Sequence, residues 1–316
     1  MQMFSIVSRW LDKNILETIH NMIVGPQYPE DDSFKSKARL HQSKYRAFIL
    51  KKCFDQYGNR LKNKDAKNLL NYYEKLNCRA AKKERFQKFS KLRDADMLRS
   101  EHIPFNMIAP LRIIDKSDSI KIINKVFELN LNSITKILME YAPKKTKKEQ
   151  YLRDGTSFDA YLEGENNNGE LIGVGIEIKY TERAYSIGKV EKKKICDKES
   201  IYWKTAKKSE MFIDPSIDFF LFYNEIFGSN NLRQIWRNHL LGLKMVAKGD
   251  VNEFYSITLY PAGNKHFNDA IPEYQEYLRD KKWVKGITFE SFIKTLENYK
   301  ELSDWKNWLQ ERYIFE

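Results

Sequence analysis

The sequence predicts an α/β chain: a helical, basic N-terminal third, then a stretch in which strands and helices alternate. Three observations carry this. Apolar side chains at Phe4, Val7, Trp10, Leu11, Ile15, Ile19 and Ile23 follow helical spacing. Apolar residues alternate strictly from Leu171 to Tyr180, the period of a strand. A helical pattern over 231–247 is followed by the β-rich segment 253-EFYSITLYP, which ends on a proline.

Taken in order, the first amphipathic helix covers residues 4 to 24 and stops at the Gly25-Pro26 breaker. A turn-rich stretch from Gln27 to Ser33 leads into the basic segment 35-KSKARLHQSKYRAFILKKCF, and basic helical patterning resumes from Asp65 to Leu98. Pro104 and Pro110 punctuate the next stretch, and a further apolar helix is expected over Ile120 to Tyr141, ahead of an exposed basic loop at 143-PKKTKK. From Thr156 to Thr181 two antiparallel strands are expected, joined by Glu165-Asn166-Asn167-Asn168-Gly169. A basic, helical or mixed segment spans Lys189 to Lys208, and WVKGITFESFIKTLENY and WKNWLQERY read as two closing helices. The expected division is a basic N-terminal region, 1–95, and a second domain, 96–316.

Composition limits the functions available. Lys and Arg number 55 against 43 Asp and Glu, a formal net charge of +12, so the surface field favours an anionic partner and nucleic acid is the first candidate. The plainer meaning of such runs as 82-KKERFQKFSKLRDADMLR is a solvated helix face. Cys53, Cys78 and Cys196 are odd in number and widely spaced, which suits a reducing cytoplasm and gives neither a disulfide framework nor a zinc cluster. No apolar run is long enough to span a bilayer, and no export signal opens the chain, so no membrane contact is expected. A phosphate-loop motif, HExxH and GxSxG are all missing, which disfavours an ATP motor, a zinc protease and a serine hydrolase.

The chemistry concentrates on the alternating strand. Ile172, Val174, Ile176, Ile178 and Tyr180 share one face, while Gly173, Gly175, Glu177 and Lys179 share the other. A turn centred on Asn168 pairs residues equidistant from it, so Asp159 falls opposite Glu177, with Phe158, Ala160 and Leu162 packing inward. Two carboxylates this close repel unless a cation or a shared proton intervenes, and hard oxygen ligands suit Mg²⁺, with Mn²⁺ as a substitute. A lean Mg²⁺ site fits phosphodiester hydrolysis, with Lys179 placed to orient or deprotonate water or to offset phosphate charge. The same three residues also suit an ordinary sheet face with cross-strand ion pairs, and spacing alone does not separate the two.

Asp159, followed on the next strand by Glu177-Ile178-Lys179, resembles the active-site signature of the PD-(D/E)XK nuclease superfamily, without the Pro that usually precedes the Asp. The strings TSFDAYLE, GVGIEIKYTE, QIWRNHLL, HQSKYRAFIL, FNMIAPL and ITFESFI resemble one branch, the PGN_0703-like restriction endonucleases, over most of residues 37 to 316. The resemblance implies a restriction-endonuclease-like core, a mixed central sheet flanked by helices, with a helical N-terminal extension. It implies that Asp159, Glu177 and the Ile178 carbonyl hold Mg²⁺ and that Lys179 assists the water.

The resemblance also implies Gln234 as an orienting residue, because related nucleases place a helical Gln near the metal. Arg237 suits a phosphate contact or a structural ion pair, and His239 a packed helix histidine. Glu101 and Asn106 are secondary candidates for a polar contribution from an upstream helix or for helix capping. Glu182 and Thr181 suit either the site or a strand-end hydrogen bond. The expected activity is a metal-dependent endonuclease acting on DNA rather than RNA, of restriction or phage-defence type, acting as a homodimer or with a partner protein of a defence system. A non-cleaving or partner-gated nucleic-acid-binding protein that retains the fold is the alternative.

Overall fold

A computed structural model describes residues 13–143, 151–183, 187–216 and 232–315. The expected helical residues 4–12, the basic loop 144–148 and most of the apolar run after Phe212 lie outside the described residues. The chain forms two compact units and passes from one to the other more than once. One gathers the described residues up to Tyr72 with Lys88–Arg99 and Phe315; the other holds Tyr73–Gln87 and Ser100–Ile314.

In the first unit, α1 (Lys13–Val24) ends where the breaker predicts, at Gly25 with φ +83°. A side chain there would be strained and would press on the Phe54 ring, so glycine is required. Helix α2 (Ser33–Lys44) starts on Asp32, which accepts from the Lys35 amide at 3.0 Å, and runs into a π-helical turn, Tyr45–Ile49. A short hairpin follows, β1 (Phe54–Asp55) and β2 (Tyr57–Leu61), which the sequence reading does not foresee. The buried Arg46 guanidinium joins these pieces. It donates to the Gly58 carbonyl at 2.7 Å, to the Ile23 and Val24 carbonyls at the end of α1 at 2.8 Å each, and to the Lys52 carbonyl. Arg39 lies over the rings of Tyr28 and Tyr57 and pairs with Asp31 at 2.5 Å. Two of the basic residues counted toward a charged helical face therefore hold this unit together. The continuous basic helix expected over Asp65–Leu98 is also corrected: it breaks into α3 (Asn63–Lys67), α4 (Cys78–Arg85) and a π-helical turn, Lys91–Ala95. Leu69, Leu76 and Asn77 take left-handed backbone angles, which no helix continues through.

In the second unit, α5 (Ile103–Met107) and α6 (Lys116–Phe127) precede a five-stranded mixed sheet of β3 (Leu131–Tyr141), β4 (Phe158–Asn166), β5 (Leu171–Ile178), β6 (Glu253–Tyr260) and β7 (Val284–Thr288), in that spatial order. The first three strands are antiparallel and the last two run parallel to β5. Between β5 and β6 lie α7 (Lys189–Cys196), α8 (Ile201–Ser209) and α9 (Leu232–Ala247). Then come α10 (Lys265–Gln275), α11 (Phe289–Thr295) and α12 (Ser303–Tyr313). The helix expected over Ile120–Tyr141 is half right. It stops at Phe127 because Glu128 turns left-handed at φ 52°, and the Asn124 side chain clamps both main-chain groups of Leu131 at 2.8 and 2.9 Å, starting β3. The first expected closing helix is likewise a strand and a helix, β7 and α11.

The sheet is covered on both faces. Ile172, Val174, Ile176 and Ile178 are buried on one, where Tyr180 stacks on Phe289 of α11 and meets Tyr313 of α12 edge-on. On the other face Tyr161 and Phe254 pack with Trp203, Trp236, Leu240 and Tyr274 from α8, α9 and α10. Phe158, Ala160 and Leu162 are all buried, Phe158 within this second cluster, and the face that carries Asp159 and Glu177 is roofed by α9. Gly173 and Gly175 make that roof possible. A Cβ on Gly175 would sit 2.5 Å from the Phe158 ring and 2.6 Å from that of Phe254.

Candidate active site

Strands β4 and β5 pair with Ala160 opposite Ile176 and Leu162 opposite Val174, the register that a turn centred on Asn168 predicts. Continued by one residue it sets Asp159 against Glu177 at the end of the hairpin. Lys179 follows directly, held in line by its amide donating to the Leu259 carbonyl at 2.9 Å. Asp159 Oδ2 accepts from the Ile178 amide at 2.7 Å, which fixes one carboxylate oxygen. Glu177 is held from both sides: Lys179 Nζ is 2.7 Å from Oε1, and Asn238 Nδ2 donates to Oε2 at 2.6 Å.

The placement of Asn238 follows from packing. It lies on α9 one turn before Gly242, and Gly242 lets the helix ride directly on the Phe254 ring: a Cβ there would be 1.9 Å from Phe254 Cδ1. The close approach brings the Asn238 amide onto Glu177. Gln234, the sequence-predicted orienting residue, sits on the same helical face one turn earlier, and Asn238 is a further residue of that face, in contact with Glu177.

Electrostatics at the pair is unbalanced. Loss of water, the charge of Glu177 and that of Glu140 raise the Asp159 carboxyl well above the usual carboxylate range, against opposing effects of Lys179 and the Ile178 amide. Glu140 is a residue the sequence reading misses. Met139 pairs with Ala160 and Tyr141 with Phe158, so Glu140 faces Asp159 from β3, and its φ of 51° is an uncommon conformation for a strand. Three adjacent strands thus each bring one carboxylate to the same end of the sheet.

The other candidates brace the surroundings. Arg237 contacts Glu191 at 2.9 Å, Asp154 at 3.1 Å and Thr156 Oγ1 at 2.8 Å, tying α9 to α7 and to the approach of β4. Glu182 accepts from Ser100 (amide 3.1 Å, hydroxyl 2.7 Å) and from the Tyr180 amide at 2.7 Å, which docks the turn carrying Glu101 beside the end of β5. Asn106 is buried and bonds the Tyr73 amide, the Tyr313 hydroxyl and the Trp305 indole, a bracing role. His239 is buried against the Tyr274 hydroxyl at 3.0 Å, and burial lowers its pKa to about 3.

A family model described as the PD-(D/E)XK nuclease superfamily matches residues 29–315. The chain belongs to this superfamily. No curated protein and no solved structure matches it. A mixed sheet flanked by helices is the core such a nuclease requires, and the superfamily membership implies a divalent metal. The residues present fit one. Two carboxylates and the neighbouring Ile178 carbonyl are hard oxygen donors, and burial together with the charges of Glu177 and Glu140 raises the Asp159 carboxyl, an effect that a bound cation would oppose. Among the described residues no group of three or more His, Cys, Asp or Glu is arranged to hold a metal, so the fit is that of a lean site completed by water and substrate oxygens. No described helix is long and apolar enough to cross a membrane.

Proposed function

We propose that the protein is a divalent-metal-dependent nuclease that hydrolyses phosphodiester bonds, most simply as an endonuclease on DNA. The observation that carries the proposal is the opposition of Asp159 and Glu177 across β4 and β5, with Lys179 on Glu177. Asp159, Glu177 and the Ile178 carbonyl would hold Mg²⁺, with Mn²⁺ as a substitute. When bound, the ion polarises the scissile phosphate and makes a nearby water more acidic. The protein's own groups do the rest. Asn238 and Lys179 fix the Glu177 carboxylate, and the Ile178 amide fixes that of Asp159, so the donor oxygens are set before substrate arrives. Lys179 orients the attacking water or offsets charge on the phosphate. The water gives up a proton as its oxygen bonds to phosphorus, the opposite P–O bond breaks, and the departing oxygen takes up a proton, so that one water is added across the bond.

The net charge of +12 supports a nucleic-acid substrate. A restriction or phage-defence role in the cytoplasm, alone as a homodimer or with a partner protein, and a recognition or control role for the N-terminal region 1–95, belong to the same proposal and rest on resemblance and composition. The test is cleavage of plasmid and linear DNA by wild type and Glu177→Ala with Mg²⁺, Mn²⁺ or EDTA, with binding followed in the same samples. Metal-dependent cutting that disappears in the variant while DNA binding persists is expected. Binding without cutting under every condition would refute the activity.

A further inference from the structure

Strand β3 is the outer edge of the sheet, and two pockets of about 290 and 400 Å³ open along it. They share Arg112 and Leu138, and β3 with the residue after it lines them without interruption from Ile134 to Ala142, a path of roughly 26 Å at strand rise. Each is the size of a cleft for a small molecule. Ile134, Leu138 and Tyr141 supply apolar lining. Arg85 and Arg112 line one pocket together with Glu84 and Glu140, and Arg112, Lys116 and Lys136 line the other, where among the described residues no acidic one joins them. Arg112 contacts the exposed Glu84 at 3.0 Å and Lys136 contacts Glu163 at 2.6 Å. The Arg112–Glu84 pair is open to solvent, and exposed pairs of this kind are weak enough for phosphate oxygens to compete with. The groove leads to the carboxylates, because Glu140 lines the first pocket and also faces Asp159 in the strand register.

Apolar side chains interleaved with cations along one continuous path are the attributes of a surface that packs bases and tracks a phosphate backbone. We propose that the β3 groove binds a single polynucleotide strand and delivers it past Glu140 to Asp159 and Glu177. The proposal rests on the nuclease reading and narrows it to substrates with a single-stranded part.

The test uses the full chain in EDTA, with anisotropy of fluorescein-labelled dT20, rU20 and a 20-base-pair duplex. Arg112→Ala combined with Lys116→Ala should weaken dT20 binding about tenfold and flatten its salt dependence by about 0.7 per lost contact, leaving duplex binding within about twofold. Lys116→Glu, at an exposed position, is the second variant, and unchanged thermal midpoints show that folding is intact. The rU20 arm decides between DNA and RNA as the strand. Unchanged dT20 affinity, or an equal loss for the duplex, would overturn the groove. The two readings fail separately. A wild type that cuts nothing with any metal, yet loses dT20 binding on these substitutions, keeps the groove and sinks the nuclease activity. Metal-dependent cutting with dT20 binding untouched by them does the reverse.

Discussion

Gly242→Ala isolates the contact that sets the site. In an exposed helix interior this change stabilises by about 1 kcal/mol, because alanine is the better helix former. Here the added methyl would lie 1.9 Å from Phe254 Cδ1 and 2.0 Å from Cε1, well inside van der Waals contact. The ring cannot retreat easily, since Gly175 on the sheet already lies against it. Overpacking of this kind costs about 1–3 kcal/mol, and an overlap this severe falls at the upper end. Set against the propensity gain, the net loss is about 2 kcal/mol, or roughly 4–8 °C in the melting temperature of a unit of this size. Calorimetry or urea unfolding of wild type and variant measures it. Because α9 must rise to relieve the clash, Asn238 should also leave Glu177, so nuclease activity should fall further than stability explains. Pairing the change with Phe254→Leu should recover part of the stability. A Gly242→Ala protein as stable as wild type, or more so, would refute the reasoning, because it would mean that the helix does not rest on Phe254.

Two further predictions follow from the same neighbourhood. Asn238→Ala removes the 2.6 Å bond to Glu177 and should weaken divalent-metal affinity and cleavage by about 10- to 100-fold, as loss of a group that orients a ligand does; equal metal titrations for both proteins would contradict it. His239 has a folded pKa of about 3 against an ordinary value near 6.5, so below pH 6.5 the unfolded chain takes up a proton that the folded one refuses, and stability falls continuously toward pH 3. At pH 5 this amounts to about 2 kcal/mol, and His239→Gln should lose that much less than wild type between pH 7 and pH 5 in urea unfolding; identical acid limbs would contradict it.

The pairing of Asp159 with Glu177 is legible in the sequence because alternation and a short polar turn leave one register that buries Ile172 to Ile178. Strand β3 is not legible. Its apolar residues Leu131, Ile134, Ile137 and Leu138 fall at helical spacing, and its pairing with β4 shifts register twice, between Leu131 and Ser133 and between Ile134 and Lys136, so alternation is lost. With the strand hidden, Glu140 could not be placed beside Asp159. On α9 the helical period puts Gln234 and Asn238 on one face but does not reveal that Asn238 meets Glu177, since the two differ only in height along the axis. That height is set by the contact of Gly242 with Phe254, which pairs residues twelve apart across a helix and a strand. The bracing roles of Asn106 and Glu182 depend on partners as distant as Tyr313 and Ser100, which no local pattern reveals.

The central claim is that Asp159 and Glu177 together hold one divalent ion, and titration calorimetry of Mn²⁺ and Mg²⁺ into wild type, Asp159→Asn and Glu177→Gln measures it most directly. The account predicts a saturable site in wild type that either substitution weakens by at least about tenfold, each with the fold retained. Equal metal binding in all three proteins, or none in wild type with or without nucleic acid, would contradict it.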